Sequence, residues 1–191
     1  MTIYTWLIVA FWIVLVATWA ASADRAKRTT GGWVWRREIA LRLAILVLVL
    51  LALRLSGLSH ALPNLRPYAI NRSPIGGLIG VVLCALGVGL AVLARVYLGR
   101  NWGMPMSRKE NPELVTSGPY AAVRHPIYTG LLVAMLGSAI GQSIFWVLPL
   151  VLCGPYFIYS ARREEKLMTE QFPEQYPAYM KRTKMLLPYM L

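Results

Sequence analysis

The chain has 191 residues, 57% of them hydrophobic and only 15% charged, where a soluble domain carries about 25% charged residues. With a mean hydropathy of +0.52, this composition excludes an ordinary water-soluble enzyme, and the length allows one domain, 1–191, set in a membrane. A formal net charge of +12 would suggest nucleic acid in a soluble protein, but here the basic residues lie in loops between apolar runs, where orientation and anionic lipid headgroups account for them.

Ile3 to Ala21 is almost wholly apolar and reaches the length of about 20 residues that crosses a bilayer. Charges follow it rather than a small-residue cleavage motif, so it is expected to remain as a span and not to leave as a signal peptide. Trp6 and Trp19 suit the two interfacial belts. Residues 24–37 form a polar loop broken by Gly31-Gly32, with Trp33 and Trp35 at headgroup level. A second span is expected over Ile39–Leu58, with Arg42 and Arg54 snorkelling near its ends. His60, in the next loop, reads as a histidine without chemistry. Pro74 stands where an N1 proline opens a helix, and the third span is expected to run to Leu98. Gly76 and Gly80 form a small-xxx-small pair, followed by Gly87 and Gly89, and such glycines let helices approach closely. No strand precedes them, so a nucleotide-binding glycine loop is not expected.

Residues 99–123 make a long polar connection. Residues 127–140 form an apolar run short for a full crossing; Gly137, Gly141 and Gln142 interrupt it, and Ile144–Tyr159 is a second run. So tight a connection predicts an antiparallel helical hairpin whose second arm is kinked by Pro149 and Pro155. Arg162–Gln171 continues that arm as a polar helix. Phe172–Lys184, with Tyr176 and Tyr179 among Lys181, Arg182 and Lys184, reads as an interfacial helix on the headgroups. The expected fold class is all-α: a polytopic integral membrane protein of about five transmembrane helices, with a C-terminal hairpin and a cytoplasmic interfacial helix. Lys and Arg number 5 in 22–38, 4 in 99–126 and 6 in 161–191, against 3 in 54–73. The positive-inside bias then places the N-terminus outside and the C-terminus in the cytoplasm, at the plasma membrane, which is the inner membrane if the source is bacterial.

Chemistry concentrates between Leu114 and Gly130. Arg124 carries a permanent guanidinium that can fork onto a carboxylate or phosphate, or simply snorkel at a helix end. His125 can donate to a ligand carboxylate or accept a proton, or serve as a satisfied interfacial histidine. Pro126 holds His125 extended and starts a helix, leaving the N–H groups of Ile127, Tyr128 and Thr129 for an anion. Tyr120 and Tyr128 can stack on a flat ring or face a cation. Glu164 and Glu165 are the one adjacent acidic pair of the chain. They can hold ribose hydroxyls or an amino group, balance a sulfonium, or form a solvated face with Arg162, Arg163 and Lys166. Cys84 and Cys153 read as small buried hydrophobes, and with His60 and His125 far apart no metal site is expected.

Gly118-Pro119-Tyr120, Arg124-His125-Pro126-Ile127-Tyr128-Thr129-Gly130, Arg163-Glu164-Glu165-Lys166-Leu167, Phe172, Tyr176, Tyr179 and Arg182 resemble the C-terminal signature of the isoprenylcysteine carboxyl methyltransferase family, itself related to the phospholipid N-methyltransferases. Leu98-Gly99-Arg100-Asn101-Trp102 resembles the bacterial members. The likeness runs over residues 95–190. It implies an integral membrane methyltransferase that takes S-adenosylmethionine and releases S-adenosylhomocysteine at the cytoplasmic face. By matching position, His125, Tyr128, Gly130 and Glu165 would contact the cofactor, with Pro126 at the helix entrance and Tyr120 and Glu164 nearby. The backbone of Leu114 and Val115 would meet the adenine. Arg124 and Arg182 would orient the carboxylate of a lipophilic acceptor from the bilayer, such as a prenylcysteine or a lipid acid. Two departures bear on the acceptor: Thr183-Lys184 follow the tail Arg where the family often has a Pro, and the larger eukaryotic relatives have more spans. Three other readings stay open. An amine acceptor would need Glu164 or His125 to take its proton. A nicotinamide-dependent membrane reductase of the sterol type has a related C-terminal pattern. A non-enzymatic membrane scaffold would use only the spans.

Overall fold

A computed structural model of the chain describes residues 2–22, 29–30, 73–101, 108–109 and 113–187. The expected second span at Ile39–Leu58, the loop residues Gly31, Gly32, Trp33, Trp35 and His60, and Trp102 lie outside the described residues. The elements in chain order are α1 (Ile3–Ser22), β1 (Thr29–Thr30), α2 (Pro74–Leu98), β2 (Arg108–Lys109), α3 (Pro126–Gly141), α4 (Val147–Gln171) and α5 (Gln175–Arg182). Short 3-10 turns occupy Gly99–Asn101, Gly118–Ala121 and Ile144–Trp146. The described fold is all-helical apart from one ladder, in which β1 and β2 pair antiparallel with Thr29 opposite Lys109. That ladder joins two of the three basic segments.

Three helices, Ile3–Ala21, Pro74–Leu98 and Ile144–Gln171, are long and apolar enough to cross a membrane, and Pro126–Gly141 is a shorter apolar helix. Large apolar side chains such as Ile13, Leu86 and Val151 stand exposed on the three long ones. Water would not tolerate so much outward apolar surface, and lipid does. The chain is a polytopic integral membrane protein.

The start of α2 follows from its first residues. Ser73 caps it by accepting from the Gly76 N–H (3.3 Å), and Pro74 occupies N1, where no N–H is needed. The buried face of α2 repeats every three and four residues through Gly77, Gly80, Cys84, Gly87, Ala91 and Ala94. Facing it, α3 offers Gly130, Ala134, Gly137 and Gly141. A Cβ at Gly87 would lie 2.5 Å from Gly130 O, and one at Gly137 would lie 2.7 Å from Gly80 O. The two helices therefore meet backbone to backbone, a contact that small residues permit. The expected glycine pattern is partly displaced: Gly76 serves the cap, Gly89 faces open space, and Gly77 joins the seam with the Tyr4 ring against it.

Helix α1 adds Ile8, Trp12, Leu15 and Trp19 to this core at the same three-and-four spacing. Trp12 stacks on Trp146 (5.2 Å between centroids) and donates to Ser138 Oγ on α3 (3.0 Å). Trp6 remains outward, as a belt residue would. Cys84 and Cys153 are free and buried.

The hairpin turn is closed by Trp146 Nε1 donating to Gln142 (2.9 Å) and by Ser143 Oγ accepting from the Phe145 N–H (3.3 Å). Pro149 falls in the first turn of α4, where it breaks no hydrogen bond, so Pro155 alone interrupts that helix. The aromatics of α5 turn inward rather than onto headgroups. Tyr176 and Tyr179 are each 3% exposed, because the segment around Tyr120 gives them a protein surface to pack against.

Candidate active site

Gly118 has φ 59°, a conformation open to glycine, with the Tyr97 ring of α2 lying where a Cβ would stand. The turn it begins delivers Tyr120 to α5, where the Tyr179 hydroxyl donates to the Tyr120 carbonyl (2.6 Å). His125 is the N-cap of α3, with φ −125° and ψ 59°, and Pro126 starts the helix. The His125 side chain does not cap that end; the His125 carbonyl takes the Thr129 N–H (3.1 Å), and the N–H groups of Ile127 and Tyr128 are the ones left for an anion.

Helix α4 supplies the other half. The rings of His125 and Tyr128 stack at 5.6 Å, and Tyr128 stacks on Phe157 at 4.8 Å, with interplanar angles of 11° and 6°. The Tyr128 hydroxyl donates to Glu164 Oε1 (2.5 Å) and lies 3.1 Å from Ser160 Oγ. Glu164 Oε2 is 3.5 Å from His125 Nδ1, and Glu165 Oε1 is 3.3 Å from His125 Nε2. The second contact is an ion-pair approach only; Nε2 is buried and makes no hydrogen bond. Arg124 Nε donates to the same Glu165 oxygen (2.6 Å), while Nη1 donates to the carbonyls of Thr183 and Met180.

The acidic pair is therefore not a solvated face. The Glu165 side chain is 9% exposed and that of Glu164 24%, while Arg162, Arg163 and Lys166 point outward. Burial opposes charge on His125, but the Glu164 and Glu165 carboxylates outweigh it and raise its pKa above the ordinary 6.5. Burial pushes the Tyr179 phenol up to about 12, against the pull of the Arg124 charge, and raises those of Tyr120 and Tyr176 as well. These phenols are neutral donors, not bases.

Of the residues singled out in the sequence, Arg124, His125, Tyr128, Glu164 and Glu165 meet in one cluster. Pro126 is buried at its edge, and Leu114 and Val115 form an extended, half-buried approach to Tyr120. Gly130 does not join it. A Cβ there would meet Gly87 O at 2.5 Å and Ala91 N at 2.8 Å, so Gly130 belongs to the helix seam. Arg182 stands exposed on α5, outside the cluster. Ser160 and Phe157 are members that sequence reading passed over. Their signal was helical spacing: they lie four and seven residues before Glu164 on α4, hence on its face.

Among the described residues, no group of three or more His, Cys, Asp or Glu is placed to hold a metal ion. The donor set suits instead a ligand carrying an anion and a cation. The charge of the His125 imidazolium, whose Nε2 approaches Glu165 Oε1 at 3.3 Å, and the dipole of the α3 N-terminus favour the anion; the partly open Glu164 carboxylate and the Tyr128 ring favour the cation. The residues present thus fit S-adenosylmethionine, which has a carboxylate beside an ammonium and a sulfonium.

Comparison with known proteins agrees with the resemblance in the motifs. The chain is 32% identical over 110 residues to the cobalt-zinc-cadmium resistance protein CzcN of Cupriavidus metallidurans, covering 56% of this chain and 49% of that one. It is 31% identical over 110 residues to the protein-S-isoprenylcysteine O-methyltransferase of Schizosaccharomyces pombe, covering 56% of this chain and 46% of that one. It is 28% identical over 190 residues to the methanethiol S-methyltransferase of a Pseudomonas species, covering 92% of this chain and 71% of that one. The chain thus spans about half the length of the first two relatives. A sequence model described as phospholipid methyltransferase matches residues 75–175, more than half of the chain. That match takes in the whole glycine seam and every side chain that meets at the carboxylate pair, and the chain belongs to the phospholipid methyltransferase family.

Proposed function

We propose that this protein transfers a methyl group from S-adenosylmethionine to a lipophilic acceptor reached from the bilayer, at the cytoplasmic face. The observation that carries the proposal is the meeting of His125 and Tyr128 with Glu164 and Glu165, from helices α3 and α4, around a buried imidazole nitrogen that makes no hydrogen bond. Bound there, the cofactor supplies an electrophilic methyl group on a sulfonium. The positive charge of His125 would favour the cofactor's carboxylate. Glu164 balances its positive charge, and the Tyr128 ring lines the same space. In the first reading the acceptor is a carboxylate, already nucleophilic at neutral pH, so the protein has only to hold, align and desolvate it. Arg182, exposed on α5, is then a cation available to that acceptor.

A second reading is a thiol acceptor. Two observations favour it: Arg124 is occupied by Glu165 and two main-chain carbonyls, and the likeness to a methanethiol S-methyltransferase runs along 92% of the chain. A thiol has a pKa of about 8.5 and must lose its proton. Glu164, the more open carboxylate, is the acceptor for that proton.

The test is calorimetric titration of the detergent-purified protein with S-adenosylhomocysteine, beside His125→Ala and Glu164→Gln. Binding by the wild type, weakened about tenfold or more in both variants, is the expected result. No binding by the wild type would sink the proposal. A labelled-methyl assay with a prenylcysteine analogue and a long-chain thiol then separates the two readings.

A further inference from the structure

Arg124 is the most heavily committed cation of the described site. Its guanidinium bonds Glu165 on α4 at 2.6 Å and also reaches the carbonyls of Met180 and Thr183 at the C-terminal end of α5. Both members of the Arg124–Glu165 pair have side chains 9% exposed. A cation set against the last carbonyls of a helix is favourably placed by the helix dipole. The main chain of the same residue is tied as well. The Arg124 N–H donates to Lys184 O (2.8 Å), the His125 N–H donates to Met185 O (3.0 Å), and Val123 pairs with Lys184 in parallel. One helical turn on, Thr129 Oγ1 donates to Leu186 O (2.6 Å). The segment Thr183–Leu186 therefore runs across the entrance of α3, and Arg124 is the side chain that joins this strap to the carboxylate facing His125.

We propose that Arg124 is a positioning residue that acts through Glu165 and the C-terminal strap, and that it does not touch the methyl acceptor. This rests on the methyl-transfer reading above. With Nε taken by Glu165 and Nη1 by the Met180 and Thr183 carbonyls, Nη2 alone is left, and one nitrogen cannot make the two-nitrogen fork that grips a carboxylate. Losing the guanidinium loosens the strap, which keeps its main-chain bonds to Arg124 and His125 but loses its tie to Glu165, and leaves Glu165 to swing away from His125. The cost falls on cofactor binding rather than on acceptor recognition.

The experiment uses the full chain in detergent with Arg124→Gln, Arg124→Lys, Glu165→Gln and the double variant Arg124→Gln/Glu165→Gln. Three quantities are read: the Kd for S-adenosylhomocysteine, the KM for the prenylcysteine analogue or long-chain thiol, and the rate of tryptic cleavage at Lys181 and Arg182, exposed at the end of α5, and at Lys184, exposed in the strap. Arg124→Gln is expected to weaken S-adenosylhomocysteine by roughly ten- to a hundredfold, the scale seen when the residue behind a metal ligand is removed. Arg124→Lys should restore part of this, since it keeps the charge and loses the fork. The double variant should cost no more than the worse single one, because the two residues act as a unit. Tryptic cleavage of the strap should accelerate in Arg124→Gln. An unchanged Kd and cleavage rate, with the acceptor KM raised tenfold or more, would overturn the proposal and make Arg124 a substrate-binding residue. If the wild type binds no S-adenosylhomocysteine, the methyl-transfer reading fails by itself; the strap is then judged on cleavage alone, and an unchanged rate in Arg124→Gln overturns it.

Discussion

Two glycines on α2, nine residues apart, should respond in opposite directions to the same substitution. A Cβ at Gly80 would come 2.6 Å from Gly137 O and closer still to the Cα and N of Gly141, whereas one at Gly89 would meet nothing within 4 Å. Carbon and carbonyl oxygen ordinarily approach to about 3.3–3.6 Å, so the Gly137 contact alone makes Gly80→Ala part α2 from α3 by roughly 0.7–1 Å, and the closer Gly141 atoms demand more. The obstructing atoms are backbone and cannot rotate aside. Overpacking of this kind costs about 1–3 kcal/mol, against which alanine regains about 1 kcal/mol of helix propensity. Gly80→Ala should therefore destabilise by up to roughly 2 kcal/mol, and Gly89→Ala should be neutral or stabilise by about 0.5–1 kcal/mol. Unfolding in mixed micelles of rising dodecyl sulfate content, followed by tryptophan fluorescence, measures both. Because α3 carries His125 at its start, the Gly80 variant should also bind S-adenosylhomocysteine more weakly. If the two variants agree within about 0.5 kcal/mol, or Gly80→Ala is the more stable, the backbone-to-backbone seam is refuted.

Tyr128→Phe removes the hydroxyl held by Glu164 and Ser160 while keeping the ring between His125 and Phe157. A hydrogen bond to a charged group is worth about 1.5–3 kcal/mol, and a loss below 0.5 kcal/mol in the same unfolding assay would show that Glu164 does not depend on it. The pH dependence follows from His125, whose folded pKa is raised above 6.5. Its stabilising contribution is complete below that value and is lost as pH rises through the raised one, since the unfolded chain then no longer binds the proton and the folded site must release it. Wild type minus His125→Gln, measured across that window, should therefore show a stability advantage that shrinks towards high pH. A difference that is flat with pH would mean that folding leaves the His125 pKa at its unfolded value, and one that grows with pH would mean that His125 is held neutral in the folded protein.

Much of the frame was legible in the residues themselves. The apolar lengths of Ile3–Ala21 and Pro74–Leu98 mark spans, Pro74 and Pro126 mark helix starts, and the break at Gly141-Gln142 marks the hairpin. Each of these signals is local: run length, a missing N–H, a residue without a side chain. The small residues of α2 announced close packing, yet not which of them would provide it. Gly77 and Gly87 turn to α1 and α3 while Gly89 faces open space, a matter of the direction in which the neighbouring helices lie. Arg124, His125 and the Glu164-Glu165 pair could be named from their types and setting, and they do meet.

Their roles were decided elsewhere. The ion pair of Arg124 joins residues 41 positions apart, and its bond to Thr183 O joins residues 59 apart. From the sequence alone Arg124 was free to bind a substrate; in the fold it is already bound. Gly130, placed in the motif beside Tyr128, belongs to the seam with α2, one turn away from the chemistry. Ser160 and Phe157 carry no motif and become part of the site only because α4 crosses α3 with that face inward. Polarity and periodicity are written in neighbouring residues, so the sequence by itself determined the spans and the candidate groups. Which donor meets which acceptor depends on the path of the chain between them, and only the tertiary structure decided that.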